Sequence, residues 1–218
     1  MKVLVVGASG GSGRAAVAAL LDSGHDVTVF VRSAEALRTV ADRVTVVTGD
    51  ATHPDDMDTA VRGQDAVVVT LGISENPIRV RMRGPAGTPI DVRSRGTRNV
   101  IDAMERHGVR RLVVQTSYGV GETRGKLPRR YALMFRLLLG PQITDTETQD
   151  ALVRGSRVDW TLVHPVNLTE GPATSAGGTV TSTEGAVSGW HVARSAVGRV
   201  LADAVERPAY TARTIAVS

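Results

Sequence analysis

At 218 residues, with 42% hydrophobic and 22% charged residues, the chain suits one well-buried α/β domain and is short for two. The absence of cysteine excludes disulfides, thiolate nucleophiles and cysteine metal sites, and no metal is expected. A net charge of +4, with only 3% aromatic residues, gives no basic helix with interleaved aromatics, so nucleic acid is not an expected partner.

Short β-branched runs alternate with helical patterns along the chain. Strands are predicted at Val3–Val6, Val27–Val31, Val44–Val47, Ala66–Thr70, Leu112–Gln115, Asp159–Val163 and Thr214–Val217. Their continuous apolar character suits strands covered on both faces, as in a parallel sheet. The clearest helices are Ser12–Leu21, Asp91–His107, Asp145–Gly155 and His191–Glu206, with Gly24 and Gly108 read as C-terminal caps. Repeated strand–helix–strand order predicts right-handed crossovers and a Rossmann-type, doubly wound, mostly parallel sheet with helices on both faces. One domain over 1–218 is expected, its substrate pocket built from loops 73–89, 117–130 and 166–190. The apolar run opening MKVLVVGASG is too short for a signal-peptide core. No stretch approaches the ~20 apolar residues of a membrane helix, so a soluble, cytoplasmic protein without a membrane partner is expected.

Five motifs carry the chemistry. In VLVVGASGGSGR, Gly7, Gly10 and Gly13 stand three apart between a strand and a helix. A turn there needs backbone that approaches a diphosphate, and the helix start offers N–H groups and a positive dipole end. Ser9, Gly11 and Ser12 fall in the same turn. At the end of the second strand, where enzymes using NAD carry an acid about twenty residues beyond the glycines, the chain has Arg32 and Ser33. A guanidinium there pairs with a 2′-phosphate, and Arg14 could reach the same phosphate or the diphosphate. NADP(H) is therefore favoured over NAD(H).

In TGDATHPDD, Asp50 could accept from an adenine amino group beside Ala51, or cap a turn. Thr70, Leu71 and Gly72 end the fourth strand, where a ribose or diphosphate passes in this topology. In VVQTSYGVGE, Thr116, Ser117 and Tyr118 leave the fifth strand at the edge where the nicotinamide should lie. The Ser117 and Tyr118 hydroxyls could polarise a carbonyl there, or bond the local backbone. In TLVHPVNLTEGP the sixth strand ends at His164–Pro165, and Val166 and Asn167 would flank the nicotinamide amide. His164 could donate a proton or serve packing.

These segments, with GTRNVIDAMERHGVRRLV, ALVRGSRVDWTLVHPVNLTEGP and SGWHVARSAVGRVLADAVERP, resemble the atypical short-chain dehydrogenase/reductases of NAD(P)-binding, NmrA-like character almost from end to end. Within that group the TS step and DTETQDALVRGSRVDW are most similar to the biliverdin-IXβ reductase, or flavin reductase, branch. The resemblance implies that Gly7, Ser9, Gly10, Gly11, Ser12 and Gly13 hold a diphosphate. It also implies a 2′-phosphate at Arg32 and Ser33, adenine at Asp50 and Ala51, and nicotinamide by Ser117.

Departures accompany it. Gln142 and Thr146 stand where most short-chain dehydrogenases carry a Tyr-x-x-x-Lys pair, and Tyr131 has Phe135 four residues on. Asn167 replaces a histidine of the flavin reductases, and Ala196 replaces the usual acid of the last helix. The expectation is an NADPH-dependent reductase acting on a small conjugated acceptor such as a flavin, quinone, tetrapyrrole or similar carbonyl. A dinucleotide sensor without turnover and a biosynthetic isomerase, epimerase or cyclase are the alternatives. Arg79, Arg81, Arg83, Arg124 and Lys126 suit an anionic small-molecule substrate or a solvated loop. A monomer or homodimer fits equally.

Overall fold

The computed structural model describes residues 1–37, 41–73, 84, 86–127, 129–171 and 179–218, with backbone alone for 36–37, 41 and 129–139. Seven strands follow the predicted runs: β1 (Lys2–Val6), β2 (Asp26–Val31), β3 (Thr45–Thr48), β4 (Ala66–Val69), β5 (Arg111–Gln115), β6 (Asp159–Pro165) and, last in the chain, β10 (Arg213–Val217). Three short ones intervene: β7 (Asn167–Thr169), β8 (Thr181–Ser182) and β9 (His191–Ala193). The main sheet runs β3-β2-β1-β4-β5-β6-β10-β8, and β7 pairs with β9 apart from it. Every pairing is parallel except β8 on β10. This is a Rossmann-type α/β fold.

Helices α1 (Gly11–Asp22), α2 (Pro54–Val61), α3 (Val92–His107), α4 (Arg129–Gly155) and α5 (Arg194–Glu206) cover the sheet. Alternation along β1 sends Val3 and Val5 into one core with α1 and α5. It sends Leu4 and Val6 into the other, with α2, α3 and Val153 of α4. Each fully buried aliphatic side chain contributes about 1.5–3 kcal/mol, so both faces of the central strands stabilise the fold. Gly108 ends α3 in the left-handed conformation (φ 70°), while α1 ends at Ser23, one residue before the left-handed Gly24.

Two helices differ from expectation. The expected helix Asp145–Gly155 is the last part of the 27-residue α4, which passes through Pro141. Proline lacks the donor a helix interior needs, which is why the sequence pattern stops short of it. The expected helix at His191 begins at Arg194, because His191, Val192 and Ala193 pair with Asn167, Leu168 and Thr169.

Helices α1 and α5 pack with their backbones nearly touching. A Cβ added to Gly198 would lie 2.4 Å from the Ala15 carbonyl oxygen. The other end of α5 meets a cation suited to its dipole: Arg111 donates to the Ala204 carbonyl, 3.2 Å from Nε. Gly198→Ala must force the helices apart and is expected to cost about 1–3 kcal/mol. Thermal melting should register a Tm lowered by about 2–4 °C per kcal/mol.

Candidate functional site

The chain reverses its lateral direction between β3 and β4, so β1 and β4 lie side by side and open a crevice at their carboxyl ends, where such folds bind ligands. Gly7 sits there with φ +89°, and a Cβ on it would be 2.9 Å from the Thr70 carbonyl carbon. The Gly7 carbonyl accepts from the Gly10 N–H at 3.1 Å. A Cβ on Gly13 would lie 2.2 Å from that same carbonyl oxygen. Helix α1 therefore starts at the closest approach its backbone allows. Its first turn has neither a capping side chain nor an acidic residue, leaving N–H groups and the dipole for an external anion. The turn fits a diphosphate.

Arg32 and Ser33 follow β2 and are exposed. The Arg32 guanidinium donates to the Gly87 carbonyl. Arg14, also exposed, donates to the Ser9 carbonyl within the glycine turn. Asp50 forms a side-chain turn: its Oδ1 accepts from the Thr52 N–H and hydroxyl, each at 2.8 Å. Partial burial pushes the Asp50 carboxyl up, but these bonds and the nearby His53 and Arg32 outweigh it and hold it below its usual range. The turn-capping alternative for Asp50 is thus realised with one oxygen. Asn99 donates to the Ala51 carbonyl at 2.9 Å. A Cβ on Gly96 would strike Leu71 Cδ1 at 2.5 Å and approach Ala51 Cβ at 3.3 Å. Ala51 and Leu71 therefore form one apolar wall. The Thr70 hydroxyl donates to the Val6 or Gly7 carbonyl, at 3.2 and 3.3 Å.

Arg93 donates to the Leu71 carbonyl at 2.7 Å and sets the edge beside Gly72. Burial lowers the pKa of its guanidinium, and Asp145 opposes the shift. Asp145, from α4, caps α3: its carboxylate accepts from the Arg93 and Ser94 N–H groups at 3.0 and 3.1 Å and from the Ser94 hydroxyl at 2.5 Å. Neither residue was legible as a functional position. An Asp at the start of a predicted helix is read as that helix's own cap, not as another's.

Beyond this strip lies a cavity of about 650 Å³ at the ends of β5 and β6. Thr116, Ser117 and Tyr118 line it from one strand and Pro165, Val166 and Asn167 from the other. Gln142 and Thr146 also line it, and the Thr146 hydroxyl donates to the Gln142 carbonyl at 2.8 Å. Thr116 Oγ1 is buried with no hydrogen-bond partner among the described residues. Trp190 closes one side, edge-to-face with Tyr118 at 6.0 Å and 75°.

Two of the sequence candidates are bonded within the protein. Tyr118 donates its hydroxyl to the Gly185 carbonyl at 2.9 Å, and burial pushes the phenol's pKa up. It is a wall of the cavity rather than a free acid. His164 is fully buried and lies outside the cavity lining. Its Nδ1 bonds the Thr123 hydroxyl and its Nε2 the Asp150 carboxylate, each at 3.0 Å. Strand alternation turns the ring toward α4 and away from the cavity, the arrangement of the packing alternative. Lys126 and Arg124 are engaged with the Glu184 carbonyl and the Glu147 carboxylate. Arg79, Arg81 and Arg83 lie outside the described residues.

Arg154 completes the buried network, donating to Asp150 Oδ1 at 2.6 Å, Glu122 at 2.7 Å and Thr214 at 2.6 Å. Burial pushes the Asp150 carboxyl up, and the bonds from His164 and Arg154 overcome that and lower it. A depressed carboxylate stabilises the fold above its unfolded pKa of about 3.9 and loses that contribution as pH falls through the folded value. Asp150→Asn should cost about 1.5–3 kcal/mol at pH 7. Its Tm should also fall less steeply below pH ~4 than that of the unmodified chain in a melting series.

One further residue escaped the sequence reading. Arg194, first in α5, lies across the glycine turn: a Cβ on Gly11 would be 2.8 Å from its Cδ and Nε. It bonds Glu170 at 2.7 Å and the Ser12 hydroxyl at 3.2 Å. Among the described residues no cluster of three or more His, Asp or Glu side chains could hold a metal, and no helix is long and apolar enough to cross a membrane.

Solved structures share this fold. The anaerobilin reductase ChuY of Escherichia coli O157:H7 is 23% identical, with a TM-score of 0.79 over 100% of this chain and 96% of its own. A short-chain dehydrogenase/reductase of Veillonella parvula in complex with NADP is 19% identical, with a TM-score of 0.79 over 100% and 94%. A 3-beta-hydroxysteroid dehydrogenase of Mycolicibacterium neoaurum is 34% identical over 126 residues, which span 55% of this chain but 32% of that relative. The NAD(P)H-binding family matches residues 7–208, a span that runs from the first glycine of the turn past the end of α5; the chain belongs to that family.

Proposed function

We propose that the protein is an NADPH-dependent reductase that reduces a flat, conjugated acceptor in the 650 Å³ cavity. The observation that carries this reading is the cavity's position at the carboxyl ends of β5 and β6, across β4 from the strand that leads into the glycine turn, with Tyr118 and Trp190 on one side and Gln142 and Thr146 in its lining. Gly7, Ser9, Gly10, Gly11, Ser12 and Gly13 would hold the diphosphate, with Thr70, Leu71 and Gly72 alongside. Ala51 and Leu71 offer the adenine a wall, and Asp50 the acceptor for its amino group. Thr116, Pro165, Val166 and Asn167 would border the nicotinamide. NADPH, when bound, supplies the hydride.

The chain's own residues then orient the acceptor and exclude water around it. Ser117, whose hydroxyl has no partner among the described residues, can donate to an acceptor oxygen as negative charge grows there. Tyr118 and Trp190 give a planar ring an apolar wall. The Glu147 carboxylate is paired with Arg124, and Thr146 and Gln142 carry no ionisable proton, which suits an acceptor that takes its proton from water: a flavin, quinone, tetrapyrrole or other conjugated carbonyl. The same two residues favour a second reading, a dinucleotide sensor that binds without turnover.

Preference for NADPH rests on Arg32 and Ser33, a cation and a donor where an acid would select NADH. Isothermal titration with both dinucleotides, followed by NADPH consumption against flavins and quinones, tests the proposal. Turnover supports the reductase, whereas tight binding without consumption of NADPH by any acceptor would favour the sensor. Arg32→Ala is expected to weaken NADPH about tenfold to a hundredfold and leave NADH nearly unchanged, from loss of a charge-assisted bond. Equal losses for both would remove Arg32 from the 2′-phosphate. Ser117→Ala should lower kcat by about tenfold or more with little change in NADPH affinity, read by steady-state kinetics beside titration.

A further inference from the structure

The start of α5 carries a cation where the helix dipole does not favour one. Arg194 is the first residue of the helix, where the dipole is positive and a cation is disfavoured. It also lies against the start of α1, at Gly11 and Ser12. The two helices run in the same direction here, since Arg194 meets Gly11 and, four residues on, Gly198 meets Ala15. Two positive helix ends and a guanidinium therefore converge on one place. Such a place favours an anion.

At present Glu170 supplies that anion, 2.7 Å from Arg194 Nε. The carboxylate side chain is 82% exposed against 29% for the arginine, so the pair is a weak and readily exchanged one. Gly11 is what admits the guanidinium, because any Cβ there would overlap its Cδ and Nε. The Gly198–Ala15 crossing fixes how close it comes.

Building on the NADPH reading above, we infer that Arg194 is a clamp for the cofactor's diphosphate, and that Glu170 occupies its guanidinium until the dinucleotide displaces it. The diphosphate offers oxygens that a guanidinium can pair with through two parallel N–H groups. This assigns the two ends of the cofactor to different arginines: Arg32 reads the 2′-phosphate, which NADH lacks, and Arg194 reads the diphosphate, which both dinucleotides carry.

Titration of NADPH and NADH into the unmodified chain, Arg194→Met, Arg194→Lys and Glu170→Gln tests this, with melts in the absence of dinucleotide as the check on folding. Arg194→Met should weaken both dinucleotides in parallel, by about tenfold to a hundredfold. Arg194→Lys should fall between, since lysine keeps the charge without the fork. Glu170→Gln should tighten both by roughly two- to fivefold, as the competing carboxylate is lost. Unaltered affinity in Arg194→Met overturns the clamp, and loss of NADPH binding alone reassigns Arg194 to the 2′-phosphate and overturns it as well. Should Arg194→Met fail to fold, Glu170→Gln decides, because unchanged or weaker binding there removes the exchange. No binding of either dinucleotide by the unmodified chain overturns the underlying cofactor reading instead.

Discussion

The Gly7 carbonyl is the contact on which the remainder of the site is hung. It takes the Gly10 N–H and faces Gly13 so closely that a single methyl group would collide with it. That contact draws α1 down onto the sheet edge. With α1 at that depth, the small face of the helix meets α5 backbone to backbone at Ala15 and Gly198. The crossing in turn carries Arg194 over the turn itself. A bulkier residue at any of Gly7, Gly13 or Gly198 would therefore alter the spacing of helix ends that converge on one point, not merely a local loop.

The other side of the sheet is organised by acids five residues apart on α4. Asp145 caps α3 and so fixes the Arg93 end of the strip below β4. Asp150 holds His164 and Arg154, and through them Thr123 and Glu122 of the segment Gly121–Lys126. Between the two acids stands Thr146, on the cavity wall. The cavity is thus bounded by a helix anchored above and below it. Groups buried this deeply must be bonded on all sides, and both ring nitrogens of the histidine are.

The parallel sheet and the glycine turn were legible in the sequence because each follows from a local rule. Apolar runs such as Ala66–Val69 must be covered on both faces, and glycines spaced as Gly7, Gly10 and Gly13 between strand and helix have few other uses. Strand ends were legible as the place of a candidate site for the same reason, since topology sets which edge opens a crevice. What escaped was set by tertiary contact. Proline 141 concealed the first half of α4, and three residues that read as helix were drawn into β9 by Asn167–Thr169. His164 looked available because the side of the strand it falls on depends on where β6 ends. Arg194 and Asp145 act on elements 182 and 51 positions away, at Ser12 and Ser94, and no spacing rule reaches that far.

The strand order also divides the chain by task. The strip along β1, β2 and β4 is assembled from the first 72 residues, whereas the cavity draws its lining from Arg93 to Trp190. The two halves are joined by the β4–β5 pairing and the α1–α5 crossing, and Arg93 and Arg194 reach back from the second onto the strip. Changes that reshape the cavity, at Trp190 or Gln142 for example, therefore leave the glycine turn untouched. A lineage built on this scaffold can drift from one acceptor to another while its nucleotide grip stays as it is. Its specificity would then be recorded in the second half of the sequence, and its ancestry in the first.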